Sequence, residues 1–231
     1  MTKKKIIVLM HYLELGGAEM ALIGLLHALD KDRVDVNLFL YEHRGYLMQY
    51  IPKWVNLMSR IDAYASIEQP LVEAVKHCQF GVVCGRLQAK FKHRKFIRKH
   101  KIREPYSSQI QYVGDCVTPW LPKINPSEEY DLCISFLAPH NIGRDKVRAK
   151  KRIAWIHTDY STIDIDIESE LCVWSAYDRI VSISPDVTSA FIKTFPSLYS
   201  RIIEIENIIP SDYVKYQAEA FEPADMALVG G

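Results

Sequence analysis

The chain has 231 residues, is 48% hydrophobic and 25% charged, and carries a formal net charge of +1. That length and polarity allow a full buried core and exclude global disorder, while the charge balance excludes whole-molecule attraction to nucleic acid, so an electrostatic partner has to be recognised by a local patch. The five cysteines, Cys78, Cys84, Cys116, Cys133 and Cys172, show no Cys-x-x-Cys or Cys/His spacing, which fits a reduced cytosolic setting, thiols used as small core residues, and no metal site.

The first element is read as a strand. Ile6 to Met10 is a short, continuously apolar run, as in a strand buried on both faces of a parallel sheet. With its basic start it imitates a signal peptide, but it is too short and runs into His11 and Glu14. Gly16 and Gly17 then open a helix whose apolar residues, Ala18, Ala21, Leu22, Leu25, Leu26 and Leu29, follow the spacing i, i+3, i+4. A glycine pair where a strand feeds a helix permits close backbone approach, and the free N–H groups and helix dipole there favour an anion. Plain turns use glycine as well, so the pair reads either as a phosphate site or as a turn.

Val34 to Tyr41 reads as the second strand, Val55 to Met58 as a short third one. From Pro70 a helical pattern places Phe80, Val83, Cys84, Leu87 and Phe91 on one stripe, dissolving into charge beyond Phe91. A further helix is expected over 107–117. Leu132 to Phe136 is a buried strand, residues 143–152 a polar crossover, and Ile153 to Ile156 a strand ending at His157, Thr158 and Asp159. A helix over 167–176, a strand over 179–183, a helix capped by Ser184 with Pro185 at its first position, and a strand over 201–206 complete the alternation. This order predicts an α/β fold with a doubly wound, mostly parallel, Rossmann-like sheet over 1–210. Residues 211–231 read as a linker and the truncated start of another domain. No segment reaches membrane-span length, so the protein is expected to be soluble or peripheral.

Ligands of such sheets sit at the carboxyl ends of the strands. That rule selects Gly16 and Gly17, and also His157, Thr158 and Asp159. A histidine there either donates to a sugar hydroxyl or phosphate oxygen or merely ties down a neighbouring loop.

Gly16-Gly17-Ala18-Glu19 before an apolar helix, then Lys151 to Tyr160, Tyr177 to Ser184 and Ile203 to Ile208, resemble in order and spacing the amino-terminal half of family-four GT-B glycosyltransferases, bacterial enzymes of polysaccharide synthesis. The resemblance implies the acceptor-side domain of a retaining enzyme, the first half of a GT-B fold. Such an enzyme moves a sugar from a nucleotide-diphosphate donor to a glycan or lipid-linked acceptor, with the nucleotide sugar as co-substrate and no other cofactor. On this resemblance the amides of Gly16 and Gly17 meet the donor diphosphate, His157 is catalytic at the donor sugar, and Thr158 and Asp159 lie in the acceptor cleft. The basic pair and paired glutamates of the family belong to a second domain beyond Gly231, so the 231 residues alone are expected to lack activity. Asn207 takes the place of a family asparagine, but Ile208-Ile209-Pro210 departs from the family pattern that follows it.

Between Arg86 and Arg103 lie Lys90, Lys92, Arg94, Lys95, Arg98, Lys99 and Lys101, with no acidic residue among them. The run is either a solvated helix face or a dock for an anionic membrane surface, through Lys92, Arg94, Lys95, Arg98 and Lys99 with Phe96 as an exposed aromatic. Docking would make the protein peripheral on the inner face of the membrane. A nucleic-acid partner is not expected, since no binding motif accompanies the run. Two other functions compete with the transferase. Glu42 falls where a ribose-binding acid of a dinucleotide-binding oxidoreductase domain would, yet the turn lacks G-x-G-x-x-G, Gly24 coming too late. A flavodoxin-like binding module would need a cofactor loop or acidic cluster that the strand ends do not show.

Overall fold

Strand β1 (Lys4–Met10) sends successive side chains to opposite faces of the sheet and buries both sets. Ile6, Val8 and Met10 enter one apolar cluster, Ile7 and Leu9 another. This two-sided burial is why the run is continuously apolar. The computed structural model describes residues 2–102 and 104–209. The expected linker at 211–231 and the end of the basic run at Arg103 lie outside the described residues. After β1 come α1 (Gly17–Ala28), β2 (Val34–Leu40), β3 (Asn56–Leu57), α2 (Asp62–Ala65), α3 (Leu71–Lys76), α4 (Phe80–His100) and α5 (Pro105–Val117). The second part holds β4 (Tyr130–Ser135), α6 (Asn141–Asp145), β5 (Ala149–Ile156), α7 (Ile167–Trp174), β6 (Arg179–Ser182), α8 (Pro185–Thr194) and β7 (Ile202–Glu204).

Among the described residues the strands form one parallel sheet in the order β3-β2-β1-β4-β5-β6-β7. This is the doubly wound α/β sheet that the alternation predicts. The chain winds outward from β1 to β3 and returns to β4 on the other side of β1, so a crevice opens between the carboxyl ends of β1 and β4. Helix α1 covers one face, while α2, α4, α5 and α6 cover the other beneath β1, β2 and β4. Helices α7 and α8 continue that second layer under β5 and β6, packing Trp174, Tyr177, Phe191 and Phe195 into a third cluster. Ser184 caps α8 as expected, its Oγ accepting from the Val187 N–H at 3.3 Å.

Several expectations are corrected. The crossover assigned to residues 143–152 is α6 followed by the start of β5. The basic residues join the ladder because their side chains find partners outside it: Lys150 pairs with Asp131 at 2.8 Å and Lys151 with Asp178 at 2.9 Å, and the Arg152 guanidinium donates to the Val147 carbonyl at 3.0 Å. The third strand shrinks to Asn56 and Leu57. Helix α4 continues through the basic run to His100, and its buried residues are Val82, Gly85, Ala89 and His93 instead of the expected stripe. The reason is close packing on α5: a Cβ at Gly85 would lie 2.6 Å from the Cys116 carbonyl oxygen, so small residues face α5 and the large apolar ones turn outward. Phe96, expected to be exposed, is half-buried with its ring 5.6 Å from that of Tyr112. Of the cysteines, Cys116 and Cys133 are core residues, whereas Cys78, Cys84 and Cys172 are exposed.

Candidate functional site at the strand carboxyl ends

Three histidines follow the three strands that bound the crevice and its flank. His11 comes directly after β1, His140 lies in the turn after β4, and His157 directly follows β5. The His11 imidazole spans the crevice. Its Nδ1 lies against the Glu68 carboxylate and its Nε2 donates to the Ala138 carbonyl at 2.5 Å. Burial opposes ionisation of Glu68, yet the His11 hydrogen bond and the Arg44 and Arg86 charges hold its carboxyl below the usual range. Around this pair a shallow pocket is lined by Tyr12, Tyr41, Glu42 and Tyr64 among others.

His140 is buried, its Nδ1 bonded to Ser135 Oγ at 2.8 Å and its ring 4.5 Å from Trp174. Burial, reinforced by His157 and His11, pushes its imidazole down to about 3. His157 packs its ring 4.7 Å from Phe136, and burial pushes it down to about 4. It is therefore neutral at physiological pH, a hydrogen-bonding group and not a cation. Its Nε2 is buried without a hydrogen-bond partner. A buried polar atom left in that state costs stability on the order of 1–3 kcal/mol unless a partner arrives.

The glycine turn shares this edge. Gly16 is the N-cap of α1 in extended conformation without a side-chain cap, and the first helical bond runs from the Met20 N–H to the Gly16 carbonyl at 3.0 Å. The N–H groups of Gly17, Ala18 and Glu19 consequently have no partner within the helix. A Cβ at Gly16 would collide with the Glu19 carboxylate, which folds back over the turn, whereas the space at Gly17 is open. A carboxylate thus occupies the anion-favouring end of α1. β1 and β5 are separated by β4 alone, and Phe136, just past β4, fills the interval: its ring meets that of His157, and with Ala21 and Leu25 of α1 and with Trp155 it lines a shallow groove.

The other expected residues take different parts. Thr158 is exposed, and Asp159 closes its own loop, accepting from the Ser161 N–H at 2.8 Å and Ser161 Oγ at 2.7 Å; those bonds lower its carboxyl. Glu42 is engaged by Gln69 at 3.0 Å and Arg44 at 3.1 Å, which leaves it poorly placed to select a ribose. Gly24 serves a close approach, because a Cβ there would fall onto the Ile208 carbonyl. Lys92, Arg94, Lys95, Phe96, Arg98 and Lys99 all lie on α4. Among the described residues no three His, Cys, Asp or Glu side chains gather in a way that could hold a metal ion. Sequence reasoning missed His11, Glu68 and His140. His11 carried a legible signal, the first polar residue after an apolar strand, whereas Glu68 and His140 reach the crevice only through the fold.

No family model matches the sequence, and no curated protein matches it. Solved structures similar in fold include Anabaena HepE in complex with UDP-glucose, 16% identical with a TM-score of 0.43. The same protein in complex with UDP and glucose is also 16% identical, with a TM-score of 0.44. Each alignment covers 94% of this chain and 50% of the HepE chain, so the chain spans about half the length of these structures.

Proposed function

We propose that the chain is the acceptor-side half of a retaining GT-B glycosyltransferase that takes a sugar from a nucleotide-diphosphate donor to a glycan or lipid-linked acceptor in cytoplasmic polysaccharide synthesis. The observation that carries the reading is the unpartnered, buried Nε2 of neutral His157 at the same sheet edge as the uncapped start of α1. A sugar hydroxyl suits the first group, being both donor and acceptor. The amide end of α1 suits a diphosphate, which would displace the flexible Glu19 carboxylate from it. In the reaction, N–H groups fixed in advance favour the charge that develops on the departing diphosphate, and His157 holds the sugar while the bond to it breaks. The order of motifs along the chain, from Gly16-Gly17 through His157 to Asn207, supports the family assignment.

The test uses the protein as its gene encodes it, assayed with a panel of UDP- and GDP-sugars and lipid-linked acceptors. His157→Ala is expected to lower turnover roughly 10²-fold, the effect typical of letting the reacting sugar slip from its position. An unchanged rate in a folded variant would overturn the role of His157, and absence of turnover with the whole panel would overturn the transferase reading.

A further inference from the structure

Helix α4 turns its largest apolar side chains to solvent. Phe80, Leu87 and Phe91 are 60%, 52% and 72% exposed. With Cys84 they recur every three or four residues and so form one line along the helix, which continues into Arg94, Lys95 and Arg98. Trp120, 57% exposed, packs on Gly81 beside Phe80. No acidic residue occurs in α4. Among the described residues no ion pair engages Arg94, Lys95, Arg98 or Lys99. An apolar line of this kind is costly in water, and the cations at its end are free to meet an opposite charge.

We propose that this face of α4 docks on an anionic lipid bilayer, with Phe80, Leu87, Phe91 and Trp120 entering the interface and Arg94, Lys95, Arg98 and Lys99 facing the lipid phosphates. The combination is that of an interfacial helix, in which apolar burial and electrostatic attraction act on the same face. Aliphatic Leu87 between the rings of Phe80 and Phe91 makes the line an apolar surface more than a stacking platform, which favours lipid over single-stranded nucleic acid. Charge of one sign only, next to that patch, favours phosphate headgroups over a mixed-charge protein surface. The helix is tied to the candidate site, since Arg86 on its inner side donates to the carbonyls of Ser66, at 3.2 Å, and Gln69, which flank Glu68. Docking does not depend on the transferase reading, because vesicle binding is measured without turnover.

The experiment is cosedimentation of the chain with vesicles of phosphatidylcholine alone or mixed with phosphatidylglycerol. Binding is expected only with the anionic lipid, and raising salt to about 0.5 M should weaken it roughly tenfold or more. Leu87→Ser with Phe91→Ser, and separately Arg94→Gln, Lys95→Gln, Arg98→Gln and Lys99→Gln together, should each reduce partitioning at least roughly tenfold with an unchanged circular dichroism spectrum. These side chains point outward, so both variants keep the fold. Equal binding to neutral vesicles, retained binding by either variant, or binding of random-sequence RNA in place of vesicles would each overturn the proposal.

Discussion

At the scale of single residues, the buried imidazoles decide how the fold answers acid. His157 and His140 have folded-state values near 4 and 3 against 6.5 in the unfolded chain. Each therefore contributes stability that is complete above pH 6.5 and is lost as pH falls, by about 1.4 kcal/mol per pH unit until the folded value is reached. His93, lowered by burial beside Ser108, acts in the same sense. Glu170 acts in the opposite one: burial and Asp115 push its carboxyl up to about 7 from 4.5, so its contribution is present at low pH and fades on the way up to 7. The histidines outnumber it, and stability is expected to fall on acidification from pH 6.5 to 4.5. His157→Gln should reduce the slope of the urea midpoint free energy by about 1.4 kcal/mol per pH unit. An unchanged slope would show that His157 is not held neutral.

At the scale of elements, two contacts fix how helices meet the rest of the chain. Gly24 lets the backbone of Ile208 lie directly on α1, and Ile205, Glu206, Asn207 and Ile208 close one side of the groove beside Phe136 and Trp155. Gly24→Ala gains helix propensity but puts a methyl group into a backbone carbonyl that cannot yield like a side chain. The clash should dominate, at about 1–3 kcal/mol, read as a lower melting temperature and faster proteolysis after Glu204. An unshifted melting temperature would show that the strap is loose. Helix α5 begins at an unusual cap, the Glu104 carboxylate accepting from the Tyr106 and Ser107 N–H groups at 2.7 and 3.1 Å. Glu104→Ala should cost about 1 kcal/mol, which in a chain of this size lowers the melting temperature by about 2–4 °C.

At the scale of the molecule, one sheet joins the three apolar clusters that contain its strands. Alternate residues of β1 feed two of them, and Trp155 and Ala154, neighbours on β5, belong to the first and third. No cluster can lose its strands without exposing another, so urea unfolding should be a single transition. Tryptophan fluorescence and far-ultraviolet circular dichroism should give the same midpoint. Separate midpoints would divide the sheet into independent units.

The order of apolar runs and turns was enough to define several of the elements, since a strand buried on both faces must be apolar throughout and a half-buried helix must repeat every three or four residues. Hence β1, α1, β2, β4 and α8, the parallel sheet, and the strand-end positions of Gly16, Gly17 and His157 were all legible before any coordinates. Spacing says that Phe80, Leu87 and Phe91 share a line, but which side of α4 faces inward depends on how closely α5 approaches, and Gly85 and Ala89 settle that in favour of the other face. Likewise nothing local pairs His11 with Glu68 or brings the Ala138 carbonyl to its other nitrogen. Those groups lie 57 and 127 residues away along the chain, and only the reversal of strand order between β1 and β4 brings them together. Periodicity is a property of one segment, whereas orientation and site assembly are properties of the segments packed against it, so the sequence determined the first and the tertiary structure alone decided the second.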